Sequence, residues 1–273
     1  MNPYAEIRKV PLDYQGVQSS AYSVQTYDVN KKKETLEWNE VGTVSSNYLL
    51  IDNAKVRDMA THIANESGLH FETDKVYYDG RRYVHSLIAK DTELGEVAVG
   101  DNIALGFQMW NSYDGSTSLG FRMMLYRLVC LNGMTSKINL SRYRFRHNPT
   151  SENWEEEIEN VAHSLKSASR GDNNSVHTMI NRFKSLNESS IDMFSLEKIR
   201  KEYINDIPTQ LWGSVMDRFL DKENSTGWDF LNASTDELWH KDKPTIASFN
   251  HNATIVDGLC NWIAALIYRC LRA

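Results

Sequence analysis

Cysteine is scarce in this chain of 273 residues: there are three, at positions 130, 260 and 270. An odd number at wide spacing, with no CxxC pair, builds no disulfide framework and points to a reducing compartment. Long apolar runs are missing as well. The most apolar stretch, 253–271, carries Asp257, Asn261 and Arg269, which suits a packed amphipathic helix better than a membrane span. Residues 1–10 hold charges and a proline where a secretory leader needs an apolar core. The expectation is a soluble, cytoplasmic protein with no membrane contact.

Catalytic signatures are absent too. No GxxxxGK[ST], GxGxxG or GxSxG occurs, so neither a phosphate-cradling loop nor a nucleophile elbow is present. Among eight histidines there is no HxH, HExxH or HxxxH pair with supporting ligands. Asp91 with Glu93, and Asp236 with Glu237, have ordinary surface spacing. Cys130 has no visible base partner and reads as a core thiol. The sequence therefore points to no catalytic residue, no metal and no cofactor.

What is present is ordinary globular material: 41% apolar and 24% charged residues, enough to exclude a disordered chain, a collagen-like chain or a coiled-coil rod. The length allows one large or two small domains. Residues 1–40 form a poorly patterned segment in which Lys31-Lys32-Lys33 marks a loop tip. Residues 41–150 are rich in strand signals and 151–273 in helical ones, so the expectation is one continuous α+β domain. A helix is predicted over 53–67, with Asn53 as its cap, Val56, Met59, Ala60 and Ile63 at helical spacing, and Gly68 as its stop. This would be the N-terminal helix of the fold. Asp79-Gly80 and Asp114-Gly115 lie between β-prone runs and predict hairpins whose turn residues both take positive φ. About four antiparallel strands follow from those runs. Asn132-Gly133 reads as a further turn. Apolar stripes at Trp154/Ile158/Val161/Leu165, Ile180/Phe183/Leu186, Leu196/Ile199/Tyr203 and Leu211/Val215/Phe219 predict successive helices before the C-terminal one.

Charge is distributed unevenly. Lys plus Arg is 30 and Asp plus Glu 36, for a net 30 − 36 = −6. Yet 115–151 contains no acidic residue and six basic ones: Arg122, Arg127, Lys137, Arg142, Arg144 and Arg146. Over 137–147 the period is two, placing Arg142, Arg144 and Arg146 on one face and Tyr143 and Phe145 on the other. Guanidiniums can hold phosphates and aromatic faces can stack on bases, so Lys137, Arg142, Arg144, Arg146, Tyr143 and Phe145 are candidate nucleic-acid contacts, with Arg81 and Arg82 beside the Asp79-Gly80 turn as a second basic site. The structural alternative puts the two rings in a core, with the arginines facing water or pairing with the helix of Glu155 to Glu159.

Several segments carry a resemblance. Asn111-Ser112-Tyr113-Asp114-Gly115-Ser116, then Arg127-Leu128-Val129-Cys130-Leu131-Asn132-Gly133, then Arg146-His147, and later Trp228-Asp229-Phe230-Leu231-Asn232-Ala233-Ser234-Thr235 follow in an order that resembles the phage- and plasmid-related domain-of-unknown-function family nine-three-two, over about residues 40–260. The resemblance implies a host-cell cytoplasm and a role in the DNA biology of mobile elements. At the level of fold order, the chain is also similar to phage single-strand annealing proteins of the Rad type, which implies single-stranded DNA as partner and a homo-oligomeric ring or arc. Two functions lead: ATP-independent single-strand binding and annealing, and a host-modulating factor that binds a host protein without touching nucleic acid; a third, a metal nuclease, would show itself by Mg²⁺-dependent degradation of DNA.

Overall fold

The computed structural model describes residues 1–30, 34–136, 140–148, 154–220, 225–240 and 246–270, with the backbone alone at 14, 154, 155 and 246. Lys31–Lys33, Lys137 and Glu152 fall outside the described residues.

The fold is α+β, and strands come first. β1 (Ile7–Tyr14), β2 (Val17–Asn30) and β3 (Thr35–Ser45) form an antiparallel sheet in the order β1-β2-β3. The helix α1 (Asn53–Ser67) follows this sheet. The expected N-terminal helix is thereby corrected: three strands precede it. The cause is local. Tyr14 pairs with Val17 across the two residues Gln15 and Gly16, whose φ angles are 54° and 81°, the primed-turn geometry that joins right-twisted strands. Glycine accepts that conformation freely, whereas Gln15 is an unusual first residue, so no hairpin signal was visible. The apolar alternation is blunted too, because Val17, Val29 and Leu36 lie in the open. One face buries Val24 and Val44 with Tyr113, against Ile7, Tyr22, Val41, Tyr48, Leu50 and Tyr78.

α1 is capped by Asp52, whose side chain accepts from Ala54 N at 2.8 Å, and not by Asn53. Gly68 ends it at φ 72° with its N–H on Asn65 O, as a left-handed C-terminal glycine does. The second sheet has six strands: β4 (Glu72–Tyr78), β5 (Arg82–Glu96), β6 (Asn102–Ser112), β7 (Leu119–Arg127), β8 (Asn132–Thr135) and β9 (Arg142–Phe145). Their order is β4-β5-β6-β7-β8, with β9 paired to β7. At the first predicted turn only Gly80 has positive φ, at 99°. Asp79 instead closes the turn with its carboxylate, accepting from Arg81 N at 2.9 Å and Arg82 N at 2.8 Å. Asn132-Gly133 is not a turn either. It opens β8, and both residues are buried.

Among the described residues six helices follow: α2 (Trp154–Ser169), α3 (Asn174–Glu188), α4 (Met193–Glu202), α5 (Thr209–Leu220), α6 (Gly227–Trp239) and α7 (Ile246–Cys270). No helix among the described residues is long and apolar enough to cross a membrane.

The chain divides into two compact units. The first comprises 1–87, 107–122 and 142–163; the second comprises 88–106, 123–141 and 164–273. In the second, α6 is buried on nearly every face and packs among α3, α5, α7 and β8. Aromatic pairs Trp212–Phe230, Phe219–Phe230 and Trp239–Phe249 tie those helices together.

Candidate functional site

In the first unit, β9 lies antiparallel to the start of β7, with Arg142 opposite Arg122 and Arg144 opposite Gly120. Alternation therefore puts Arg122, Arg142 and Arg144 on one face of the ladder. Trp110 of β6 provides its floor. The Arg122 guanidinium lies 4.8 Å from the Trp110 ring centroid and that of Arg142 lies 5.4 Å from it. Room for the indole comes from Gly120, since a Cβ there would fall 2.1 Å from Trp110 Cζ2.

Like charges directly opposite in an antiparallel pair repel, and the Trp110 ring offsets only part of that repulsion. Among the described residues no carboxylate pairs with Arg122, Arg142 or Arg144. Arg122 is only 4% exposed, and its Nε is buried without a hydrogen-bond partner; so is the Nε of Arg142. Burial first, and the charges of Arg142 and Arg144 next, push Arg122 down to about 9. Arg142 is lowered for the same reasons, burial leading and Arg144 following. Arg144 is exposed. The other face of β9 turns inward: Tyr143 and Phe145 are half-buried, with the Tyr143 ring 6.2 Å from Phe121. On the arginine face Arg144 is exposed, Arg142 half-buried and Arg122 buried.

The remaining candidates divide. Arg146 is exposed, while its neighbour His147 is anchored: its Nδ1–H donates to Leu49 O at 2.9 Å, Leu49 N returns a bond to His147 O at 3.1 Å, and its ring stacks on Tyr48 at 4.6 Å. Burial holds His147 below the ordinary histidine range despite that carbonyl. Tyr48 donates to Ser112 O at 2.7 Å. Burial first raises its hydroxyl to about 12. The Asn111–Ser116 segment and the Arg146-His147 pair are thus joined through Tyr48. Arg81 shares the lining of a cavity of about 410 Å³ with Asp28, Glu40 and Asp79. Arg82 donates to Ser116 Oγ at 3.2 Å. Arg127, also in the acid-free stretch, belongs to the second unit and is neutralised: its Nε reaches both oxygens of the buried Asp101, at 2.7 and 2.8 Å. Lys137 lies outside the described residues.

Sequence reasoning missed Arg122 and Trp110. Arg122 was one of six basic residues but stood apart from the alternating run. Only the pairing of β7 with β9 brings it to Arg142.

The second unit has its own polar cavity, of about 290 Å³, lined by Arg127, Cys130, Asn132, Asn232, Ala233 and Asp236 among others. Two of the segments singled out in the sequence, 127–133 and 228–235, meet there. Cys130 is half-buried at this wall and accepts from Arg127 at 3.7 Å, which corrects its reading as a core thiol. His240 Nε2–H donates to Cys130 O at 3.0 Å and to Asn132 Oδ1 at 2.8 Å. The guanidiniums here are matched by acids, Arg127 by Asp101 and Arg218 by Asp236 and Glu237, so the cavity lacks the spare positive charge of the first unit. Among the described residues no cluster of three or more His, Cys, Asp or Glu is placed to hold a metal.

A family model described as "Domain of unknown function (DUF932)" matches residues 40–257, which is most of the chain. No curated protein and no solved structure matches it, so the fold-order likeness to annealing proteins finds no support among solved structures.

Proposed function

Because the chain belongs to the DUF932 family, whose description assigns no activity, we propose its function from the geometry: it binds single-stranded DNA through the phosphate backbone and promotes annealing or recombination of strands without ATP. One observation carries the reading. Arg122, Arg142 and Arg144 form a cationic face with no carboxylate partner among the described residues, in a chain whose net charge is −6. Such a face is costly to the isolated protein and is relieved by a polyanion that sheds its counterions.

Arg142 and Arg144 hold consecutive phosphates along β9, and the exposed Arg146 extends the track. Tyr143 and Phe145 support the strand from beneath in this reading and do not stack on bases. Annealing itself requires no bond chemistry. It requires strands held extended at high local concentration with their charges neutralised, which several copies of the chain assembled together would supply. In the alternative, a host-protein-binding factor, these arginines would form an internal or subunit interface paired with carboxylates; among the described residues none is paired with Arg122, Arg142 or Arg144.

The test is fluorescence anisotropy of labelled single- and double-stranded oligonucleotides over a range of salt. Tight, salt-sensitive binding that prefers single strands supports the reading. No binding at low salt overturns it and turns the search to host proteins.

A further inference from the structure

We propose that Arg122 and Arg142, floored by Trp110, form a discrete oxyanion site that takes one phosphate group between the two guanidiniums. The inference deepens the single-strand reading, and rests on it only for whether that phosphate belongs to a DNA strand.

A guanidinium is buried in proteins when something of opposite charge is buried with it. Among the described residues Arg122 departs from that rule. It is 4% exposed, its Nε–H has no acceptor, and the nearest charges acting on it are two more arginines. Arg142 repeats the pattern from the opposite strand, half-buried and again with an unpartnered Nε–H. The Trp110 ring offsets part of the charge by cation–π attraction from 4.8 and 5.4 Å, but a ring face cannot accept the donors of two guanidinium forks. The backbone enforces this arrangement. Arg122 and Arg142 are directly opposed in the ladder, and Gly120 has no side chain, which leaves room for the indole beside β7. The site is held ready by the sheet and is not assembled by flexible side chains.

The missing partner is a tetrahedral oxyanion. Each guanidinium presents a planar fork that matches two phosphate oxygens, and the oxygens of a phosphate are arranged in three dimensions rather than in the single plane of a carboxylate. Two sources share that chemistry: a phosphodiester within a strand, and a free or terminal phosphate.

The probe is inorganic phosphate against chloride at matched ionic strength, read as the thermal midpoint of the full chain. Wild type, Arg122→Met and Arg122→Lys are compared, with Arg142→Met as the variant whose half-buried position keeps folding secure. Phosphate is expected to raise the wild-type midpoint in a saturable way that chloride does not reproduce. The response should vanish in Arg122→Met and Arg142→Met and weaken in Arg122→Lys, which keeps the charge but loses the fork. Unliganded Arg122→Met should melt no lower than wild type, since it removes a buried charge without a partner. Equal effects of phosphate and chloride on wild type, or an unchanged phosphate response in both methionine variants, overturns the site. Anisotropy with strands bearing or lacking a 5′-phosphate separates the two ideas. Strand binding without any phosphate response removes this site and leaves the broader reading intact. A phosphate response without strand binding keeps the site and assigns it to a free phosphate or phosphomonoester. A 5′-phosphate that raises strand affinity about tenfold assigns it to strand ends.

Discussion

Trp110 occupies the space that a side chain on Gly120 would need: its Cζ2 lies 2.1 Å from where a Cβ would stand, and its Cε2 lies 2.3 Å away. The indole is 4% exposed and has no free end to swing aside. Gly120→Ala should therefore cost about 1–3 kcal/mol by overpacking, or more if the ring is expelled. Urea unfolding should show a lower midpoint at an unchanged m-value. The same variant should weaken strand binding, because the floor beneath Arg122 and Arg142 moves. A variant with wild-type stability would show that the ring does not rest on β7.

Replacing Arg142 and Arg144 with alanine should remove two phosphate contacts from the strand-binding face. Each contact contributes about 0.7 to the slope of log K against log salt for single strands, so the double variant should lose roughly 1.4 from that slope. Arg81→Ala serves as the contrast. It shares a cavity wall with Asp28, Glu40 and Asp79 and is not on β9, so its loss should leave the slope unchanged. Equal slopes for wild type and the double variant would remove β9 from the interface.

His85 is a buried neutral histidine. Its Nε2 shares a hydrogen bond with Thr73 Oγ1 at 2.9 Å, while Nδ1 is buried without a partner. Burial first, and the charge of Arg57 second, bring it down from 6.5 to about 4. The unfolded chain therefore binds this proton more readily than the folded one. Stability from this group is complete above about pH 6.5 and falls as pH drops toward 4, by about 3 kcal/mol in all. Denaturation midpoints between pH 4 and 7 should show that slope, and His85→Gln should flatten it. An identical pH profile in the variant would place the titration elsewhere.

The sequence revealed local geometry better than long-range pairing. The alternation of Arg142, Tyr143, Arg144 and Phe145 correctly placed arginines and rings on opposite faces, because side-chain alternation is a property of a single strand. It did not reveal Arg122 or Trp110 as partners, because that depends on β6, β7 and β9 lying together, and nothing in any one strand announces its neighbours. The helix at 53–67 and its stop at Gly68 were legible from apolar spacing and from glycine's tolerance of positive φ. The three strands before it were not, since Gln15-Gly16 makes a primed turn without the usual residues and β2 leaves apolar side chains in solvent. Asn132-Gly133 looked like a turn because that pair commonly makes one. Here the glycine serves packing instead: Trp239 Cζ2 comes within 2.6 Å of where its Cβ would be.

In the second unit Asp101 is the hub of a buried network. Its carboxylate accepts Arg127 Nε on both oxygens and Trp228 Nε1–H at 2.8 Å, and it is 5% exposed. Asp101→Asn keeps the shape but removes the charge and turns an amide N–H toward two donors. That should cost about 3 kcal/mol, the lower end for breaking a buried pair, because the Arg127 side chain keeps about a quarter of its surface (24%) in water. Arg127→Met should also destabilise by leaving the carboxylate without its cation. If the pair acts as a unit, Asp101→Leu with Arg127→Met should cost less than the single changes Asp101→Leu and Arg127→Met added together, by at least about 1 kcal/mol. Equilibrium unfolding of the four proteins in that cycle measures the coupling. Strict additivity would mean that Asp101 is held by Trp228 and its own backbone, and that Arg127 is free to serve the cavity beside Cys130.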